Sequence, residues 1–127
     1  MAQYEELPVY KVAYDLLNQI LMLCVNMQRT HRYTLGERII NGMIDLLLNI
    51  YRANCINDKF GPIRAARENV MTVRLLFRTA FDLKQFGNKQ FIALSEQIES
   101  ISKQLTAWEK YCTEKDNKKN NCPDEAH

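Results

Sequence analysis

An unbroken heptad pattern near the C-terminal end of the chain restricts the fold more than any other feature. Apolar residues recur there at alternating steps of three and four: Phe91, Leu94, Ile98, Ile101, Leu105, Trp108 and Cys112. This spacing puts their side chains on one stripe of an α-helix and is typical of helices that pack nearly antiparallel, at about 20°. The pattern therefore predicts a helix over about 88–113 that packs lengthwise against other helices.

Three further helices are predicted from apolar periodicity and from the residues that interrupt it. Their expected limits, in chain order, are Pro8 to about Arg29, Tyr33 to about Cys55, and Pro62 to about Gly87. Thr34 and Glu37 have the spacing of a capping box at the start of the second predicted helix. Gly87 is expected to end the third helix, because glycine readily adopts a left-handed conformation.

These elements predict an all-α, up-down-up-down four-helix bundle over residues 1–113. The chain has 127 residues with only 4 Gly and 3 Pro, which favours long elements and few loops. Residues 114–127 are polar and are expected to form a disordered tail. The predicted core residues lie on the apolar stripes: Leu17, Ile20, Met43, Leu47, Val73, Phe77, Ile98, Ile101, Leu105 and Trp108.

Composition and motifs argue against membrane insertion, secretion and catalysis. No apolar stretch is long enough to cross a membrane, and residues 1–6 are acidic where a signal peptide would be basic, so a cytoplasmic protein is expected. Cys24 and Cys55 fall in apolar helical patterns and are expected to be buried free thiols. The histidines are His31 and His127, and no Glu-x-x-His, clustered metal ligands or Gly-rich phosphate loop occurs. The sequence predicts no enzyme, cofactor or metal.

Positive charge is concentrated in the middle of the chain, where residues 29–89 hold eleven Lys or Arg against five Asp or Glu. Four arginines of the third helix project within a sector of about 80°, at 100° per residue. We call this set the arginine ridge: Arg64, Arg67, Arg74 and Arg78. A solvated helix flank is one interpretation. Recognition of carboxylate or phosphate is the other, because the guanidinium group binds both in a bidentate manner.

Several motifs, in order along the chain, resemble those of one family. They are Glu6-Leu7-Pro8-Val9-Tyr10-Lys11, Arg32-Tyr33-Thr34-Leu35-Gly36-Glu37, residues 48–54, which end in Ile50-Tyr51-Arg52-Ala53-Asn54, Ala66-Arg67-Glu68-Asn69, Arg74-Leu75-Leu76, and residues 98–108, which end in Thr106-Ala107-Trp108. The series, spanning about residues 5–111, resembles the accessory variability determinant proteins of diversity-generating retroelements, which belong to a wider four-helix-bundle family with the 23S rRNA intervening-sequence proteins.

The resemblance implies a homopentameric ring that binds the retroelement's reverse transcriptase and nucleic acid, RNA or DNA, during mutagenic retrohoming. The alternative is a structural or ribosome-associated bundle of the intervening-sequence type. A neighbouring reverse-transcriptase gene with template and variable repeats would favour the first, and a position inside a 23S rRNA gene the second. On the accessory interpretation, the arginine ridge, helped by Arg38 and Arg52, is expected to bind nucleic acid or the nucleoprotein complex with little sequence specificity. Polar aromatic flanks at Tyr51 with Arg52, and at Tyr111, suit contacts between subunits.

Overall fold

The computed structural model describes the backbone of residues 7–120 and the side chains of residues 7–115. Four long helices dominate this part of the chain, and a short helical turn precedes the second of them. Their bounds are α1 Pro8–Cys24, α2 Arg29–His31, α3 Glu37–Cys55, α4 Phe60–Asp82 and α5 Asn88–Asn120. A π-helical turn, Arg32–Gly36, joins α2 to α3 without a break. No strand occurs among residues 7–120.

The four long helices form the predicted up-down-up-down bundle. Each packs against two others, so that α1 contacts α3 and α5, and α4 contacts the same two helices from the opposite corner. Short connections between successive helices make neighbours antiparallel. The predicted all-α four-helix bundle is confirmed.

The core follows the apolar stripes read from the sequence. Eight of the ten predicted core residues are buried, while Leu17 and Trp108 are half-buried and pack against the core from its edge. The heptad pattern of α5 supplies Leu94, Ile98, Ile101 and Leu105, all almost fully buried. A buried leucine or isoleucine of this kind contributes about 1.5 to 3 kcal/mol through removal of apolar surface from water.

Two details between the end of α1 and the start of α3 differ from the prediction. The first helix ends at Cys24 and not near Arg29. The prediction of a capping box is wrong. The Thr34 hydroxyl donates to the carbonyl of Thr30, one turn earlier, at 3.0 Å, inside a helical segment that has already begun. Gly36 is buried there, and a Cβ at this position would lie 3.3 Å from Cys24 Sγ and from Met27 Sδ. Close packing against the end of α1 therefore favours glycine in the π-helical turn.

The end of α4 also differs from the prediction. The helix ends at Asp82, and Lys84 takes the left-handed conformation at φ 63°, so the prediction of Gly87 as terminator is wrong. The Gln85 amide donates to the Ala80 carbonyl at 2.8 Å, and the Lys84 amide donates to the Phe81 carbonyl at 2.9 Å. These two bonds form a Schellman motif, in which glycine is the usual left-handed residue.

Three other expectations concern the ends of the chain and the cysteines. Cys24 is buried, as predicted, and burial raises the pKa of its thiol. Cys55 is exposed, so the prediction that it is buried is wrong: in the last turn of α3 the buried stripe is continued by Ala53 and Asn54, and Cys55 lies on another face of the helix. The last helix extends past 113, so the backbone of residues 114–120 is helical. Residues 1–6 and 121–127, including Cys122 and His127, lie outside the described residues.

Candidate partner-binding surfaces

The arginine ridge lies on the solvent-facing side of α4, with all four side chains exposed. The adjoining face of α4 carries the buried residues Ile63, Ala66, Val70, Val73 and Phe77, which fix the rotation of the helix in the bundle. Because helix rotation is set by this apolar stripe, the arginines emerge together along the edge that α4 shares with α5. The structure thus brings the four predicted ridge residues onto one surface.

Three of these arginines are paired with carboxylates. Arg67 Nη1 lies 3.2 Å from Glu109 Oε1, and Arg74 Nη2 lies 2.8 Å from Glu99 Oε2, so two pairs join α4 to α5. Arg78 Nε lies 3.2 Å from Asp82 Oδ1, one turn along the same helix.

The fourth arginine, Arg64, has its guanidinium carbon 5.7 Å from the centre of the Phe60 ring, a cation–π contact. Glu68, exposed, lies one turn from Arg64 on the same helix. With Glu68 counted beside the three paired carboxylates, four positive groups on this surface stand against four negative ones. The surface is therefore close to neutral, a property that depends on the α5 partners.

Apolar side chains interrupt the arginine ridge. Met71 projects within the sector of the four arginines and Leu75 about 20° beyond its edge, at 100° per residue. Both are strongly exposed, at 68% for Met71 and 65% for Leu75. Sequence analysis missed these two residues as part of the surface, although their spacing from Arg64 and Arg78 places them there. Arginine and methionine around an apolar centre are enriched at protein interfaces, where lysine and acidic residues are depleted.

Arg38 and Arg52 do not join the arginine ridge. Both lie on α3, and Arg52 Nη1 donates to Asn49 Oδ1 at 3.2 Å. Asn49 Nδ2 in turn donates to Asn69 Oδ1 at 2.7 Å, on the side of α4 that faces α3. Arg52 therefore belongs to a polar link between α3 and α4, across α4 from the ridge. Arg38 lies in the first turn of α3, at the opposite end of that helix.

A second surface, the tyrosine groove, runs between α1 and α3. It is lined by Tyr10, Leu47, Leu48 and Tyr51, and the ring of Tyr14 stacks on that of Tyr10 with centroids 6.3 Å apart and planes at 7°. Tyr14, Leu48 and Tyr51 are exposed. A stretch of exposed aromatic and aliphatic surface of this kind is typical of protein contacts.

Among residues 7–115, no group of three or more His, Cys, Asp or Glu side chains is arranged to hold a metal ion. His31, the histidine in this part of the chain, is half-buried in α2. In the described part of the chain, no helix is long and apolar enough to cross a membrane.

The family model described as bAvd-like matches residues 8–112, which include all four bundle helices up to the last turns of α5. The chain belongs to the bAvd-like family. Proteins of this family are, in general, accessory and non-catalytic. No curated protein matches the chain. The family assignment confirms the resemblance identified from the sequence motifs, and it covers both the arginine ridge and the tyrosine groove.

Proposed function

We propose that this bAvd-like protein is the accessory protein of a diversity-generating retroelement and binds the element's reverse transcriptase and nucleic acid during mutagenic retrohoming. The observation that carries the proposal is the family match over residues 8–112. The protein contributes no chemistry of its own in this role. It holds the polymerase and its nucleic acid together, and its surfaces carry the function.

The arginine ridge fits the polymerase better than it fits a phosphate backbone. Phosphate binding relies on an excess of positive charge, whereas the carboxylates of Glu99, Glu109 and Asp82 already face three of the arginines. Arg74–Glu99 and Arg78–Asp82 are exposed on both sides, and exposed ion pairs contribute only about 0 to 1 kcal/mol each, so these two exchange readily for the carboxylates or carbonyls of a partner. Burial of Met71 and Leu75 beneath a partner would supply the apolar centre of such an interface.

The tyrosine groove fits contact between copies of the chain, as expected for a homo-oligomeric ring. Its residues come from α1 and α3, on the opposite side of the bundle from the edge shared by α4 and α5. A subunit could therefore contact its neighbour through the groove while the ridge stays accessible to the polymerase. Five subunits are the number implied by the resemblance.

The proposal predicts that charge reversal on the ridge releases the reverse transcriptase. In Arg74→Glu with Arg78→Glu, two attractive contacts become repulsive to an acidic partner surface, so we expect the reverse transcriptase co-purified with the protein to fall by at least about tenfold. The experiment co-expresses the full chain with the reverse transcriptase encoded beside it and quantifies the complex after affinity capture.

The matched control is Lys103→Glu with Lys110→Glu, which makes the same change in net charge on exposed positions of α5 outside the ridge. Circular dichroism should show both variants folded, because exposed substitutions usually change stability by less than about 0.5 kcal/mol. Equal recovery of the polymerase with the parent and with the ridge variant would show that the ridge is a solvated flank. If the parent protein itself failed to retain the polymerase, this result would contradict the proposed function.

A further inference from the structure

Unlike the arginine ridge, one end of the bundle carries an excess of positive over negative charge. The connection from α1 to α3 and the connection from α4 to α5 meet at this end, where the Gln28 amide donates to Gln85 Oε1 at 2.9 Å. We call it the basic end and define it as residues 25–38 and 82–90. It holds the following charged residues: Arg29, Arg32, Arg38, Lys84 and Lys89, with Glu37 and Asp82.

The basic end has a local net charge of +3, from five positive and two negative groups, while the whole chain has +2. The remainder of the chain is therefore at −1. Asp82 is already paired with Arg78 of the ridge. The net positive charge of the molecule thus resides at this end and not on the surface with the most arginines.

Four of these cations have no carboxylate within ion-pair distance among residues 7–115: Arg29, Arg38, Lys84 and Lys89. All four side chains are exposed. Arg32 differs, because its Nη2 donates to the Val25 carbonyl at 2.7 Å and to the Met27 carbonyl at 3.2 Å, which closes the end of α1. Arg32 shapes the basic end, and the other four are available to an external anion.

Two local features suit this end to a single-stranded nucleic acid. Tyr33, 63% exposed, lies one helical turn beyond Arg29 and offers a ring face on which a base can stack. Lys84 occupies a left-handed position that favours glycine, so its charge is held at the apex of the turn at some cost in backbone strain. Stacking and phosphate contacts together are the usual means of binding single strands without sequence preference.

We infer that the basic end is the surface through which this protein binds single-stranded RNA or DNA, by phosphate contacts of Arg29, Arg38, Lys84 and Lys89 and by stacking on Tyr33. The inference deepens the proposed function and rests on it for the biological source of the strand. It separates the two partners in space, with the strand at the end of the bundle and the polymerase on the side of α4. In a ring of parallel subunits, one rim would gather these cations from every copy.

The experiment measures binding of a fluorescently labelled oligouridine to the full chain by anisotropy at several salt concentrations, without reverse transcriptase. In Arg29→Gln with Lys84→Gln and Lys89→Gln, we expect affinity at low salt to fall by at least about tenfold. The slope of log affinity against log salt should become shallower by about 2, because each lost contact to a single strand contributes about 0.7. Tyr33→Ala should weaken binding of the oligouridine severalfold and leave binding of a duplex of the same length unchanged.

The matched control is Lys103→Gln with Lys110→Gln and Lys115→Gln, which removes the same charge from exposed positions on α5. The inference predicts nearly parental affinity and salt slope for this control. Equal losses in the two triple variants would show a diffuse effect of net charge and overturn the inference. So would greater loss in Arg64→Gln with Arg67→Gln and Arg74→Gln, which would return nucleic-acid binding to the ridge.

An oligouridine that the parent fails to bind at low salt would overturn the inference while leaving polymerase binding intact. Conversely, loss of polymerase capture in the ridge variants with unchanged oligouridine binding would support the separation of the two surfaces. The two tests therefore fail independently.

Discussion

Leu105 is fully buried in the heptad stripe of α5, among residues contributed by the other helices of the bundle. Removing most of its side chain leaves a cavity, since a well-packed interior relaxes only partly around a deletion. At the scale of single residues, the stability of the bundle therefore depends on positions of this kind, whereas exposed neighbours such as Thr106 contribute little.

Leu105→Ala is expected to lower the free energy of unfolding by about 2 to 5 kcal/mol, the usual range for such a change in a core. Urea denaturation followed by circular dichroism measures the change, at a fixed protein concentration because the expected assembly would make stability depend on concentration. Thr106→Ala is the control and should stay within about 0.5 kcal/mol of the parent. A near-parental midpoint for Leu105→Ala would show that the heptad stripe does not form the core.

At the scale of the element, the end of α4 combines a helix terminator with a charged side chain. The backbone amide of Lys84 makes its hydrogen bond in the Schellman motif, but its Cβ is strained in this left-handed conformation. Glycine, which has no Cβ, is the usual residue at such a position. The structural optimum and the proposed nucleic-acid contact thus conflict at one position, as is common where binding residues are held in strained backbone.

Lys84→Gly should raise the free energy of unfolding by about 1 kcal/mol through relief of this conformation. Lys84→Ala keeps the Cβ and should give no such gain, so the pair separates backbone strain from loss of charge. Thermal melts of the two variants beside the parent provide the measurement. A melting temperature of Lys84→Gly at or below that of Lys84→Ala would mean that the left-handed turn carries no strain.

At the scale of the whole molecule, the tyrosine groove and the arginine ridge occupy opposite sides of the bundle. The basic end lies at one end of the bundle, where two interhelical connections meet. Such an arrangement would let the proposed self-association, polymerase binding and nucleic-acid binding proceed together. A heterologous contact that repeats by rotation closes into a ring and multiplies each surface by the number of subunits. The modest charge of one basic end would then become a strongly positive rim.

The parent protein is expected to be a homo-oligomer, with a mass by light scattering near five times the 14.9 kDa of the chain. Leu48→Glu places a charge in the tyrosine groove and should shift the mass toward that of the monomer, because an unpaired buried charge is costly at an interface. Ile92→Glu, at another exposed apolar position on α5, is the control. A parent mass near 14.9 kDa at micromolar concentration would exclude the ring, and a larger loss of mass in Ile92→Glu would move the contact to α5.

The bundle itself could be predicted because its signals are local. Apolar residues such as Ile98 and Leu105 repeat within one helix, and the period alone states which face must be buried. The end of α4 could not be predicted in this way: glycine is the usual terminator, but the left-handed turn falls at Lys84, and Phe86 next to Gly87 is buried in the core. Phe86 packs against Phe77, with ring centroids 6.3 Å apart. This tertiary contact favours a turn that begins before Gly87, the position that glycine's turn propensity indicates.

The sequence by itself determined the four helices, the core stripes and the alignment of four arginines on α4, since each depends on spacing within one element. Only the tertiary structure decided which charges remain unbalanced. Glu99 and Glu109 meet Arg74 and Arg67 because α5 packs beside α4. Electrostatic interaction depends on distance in space and falls steeply with it, so residues remote in the chain can cancel one cluster and leave another positive. The basic end exists because two connections distant in sequence meet at Gln28 and Gln85.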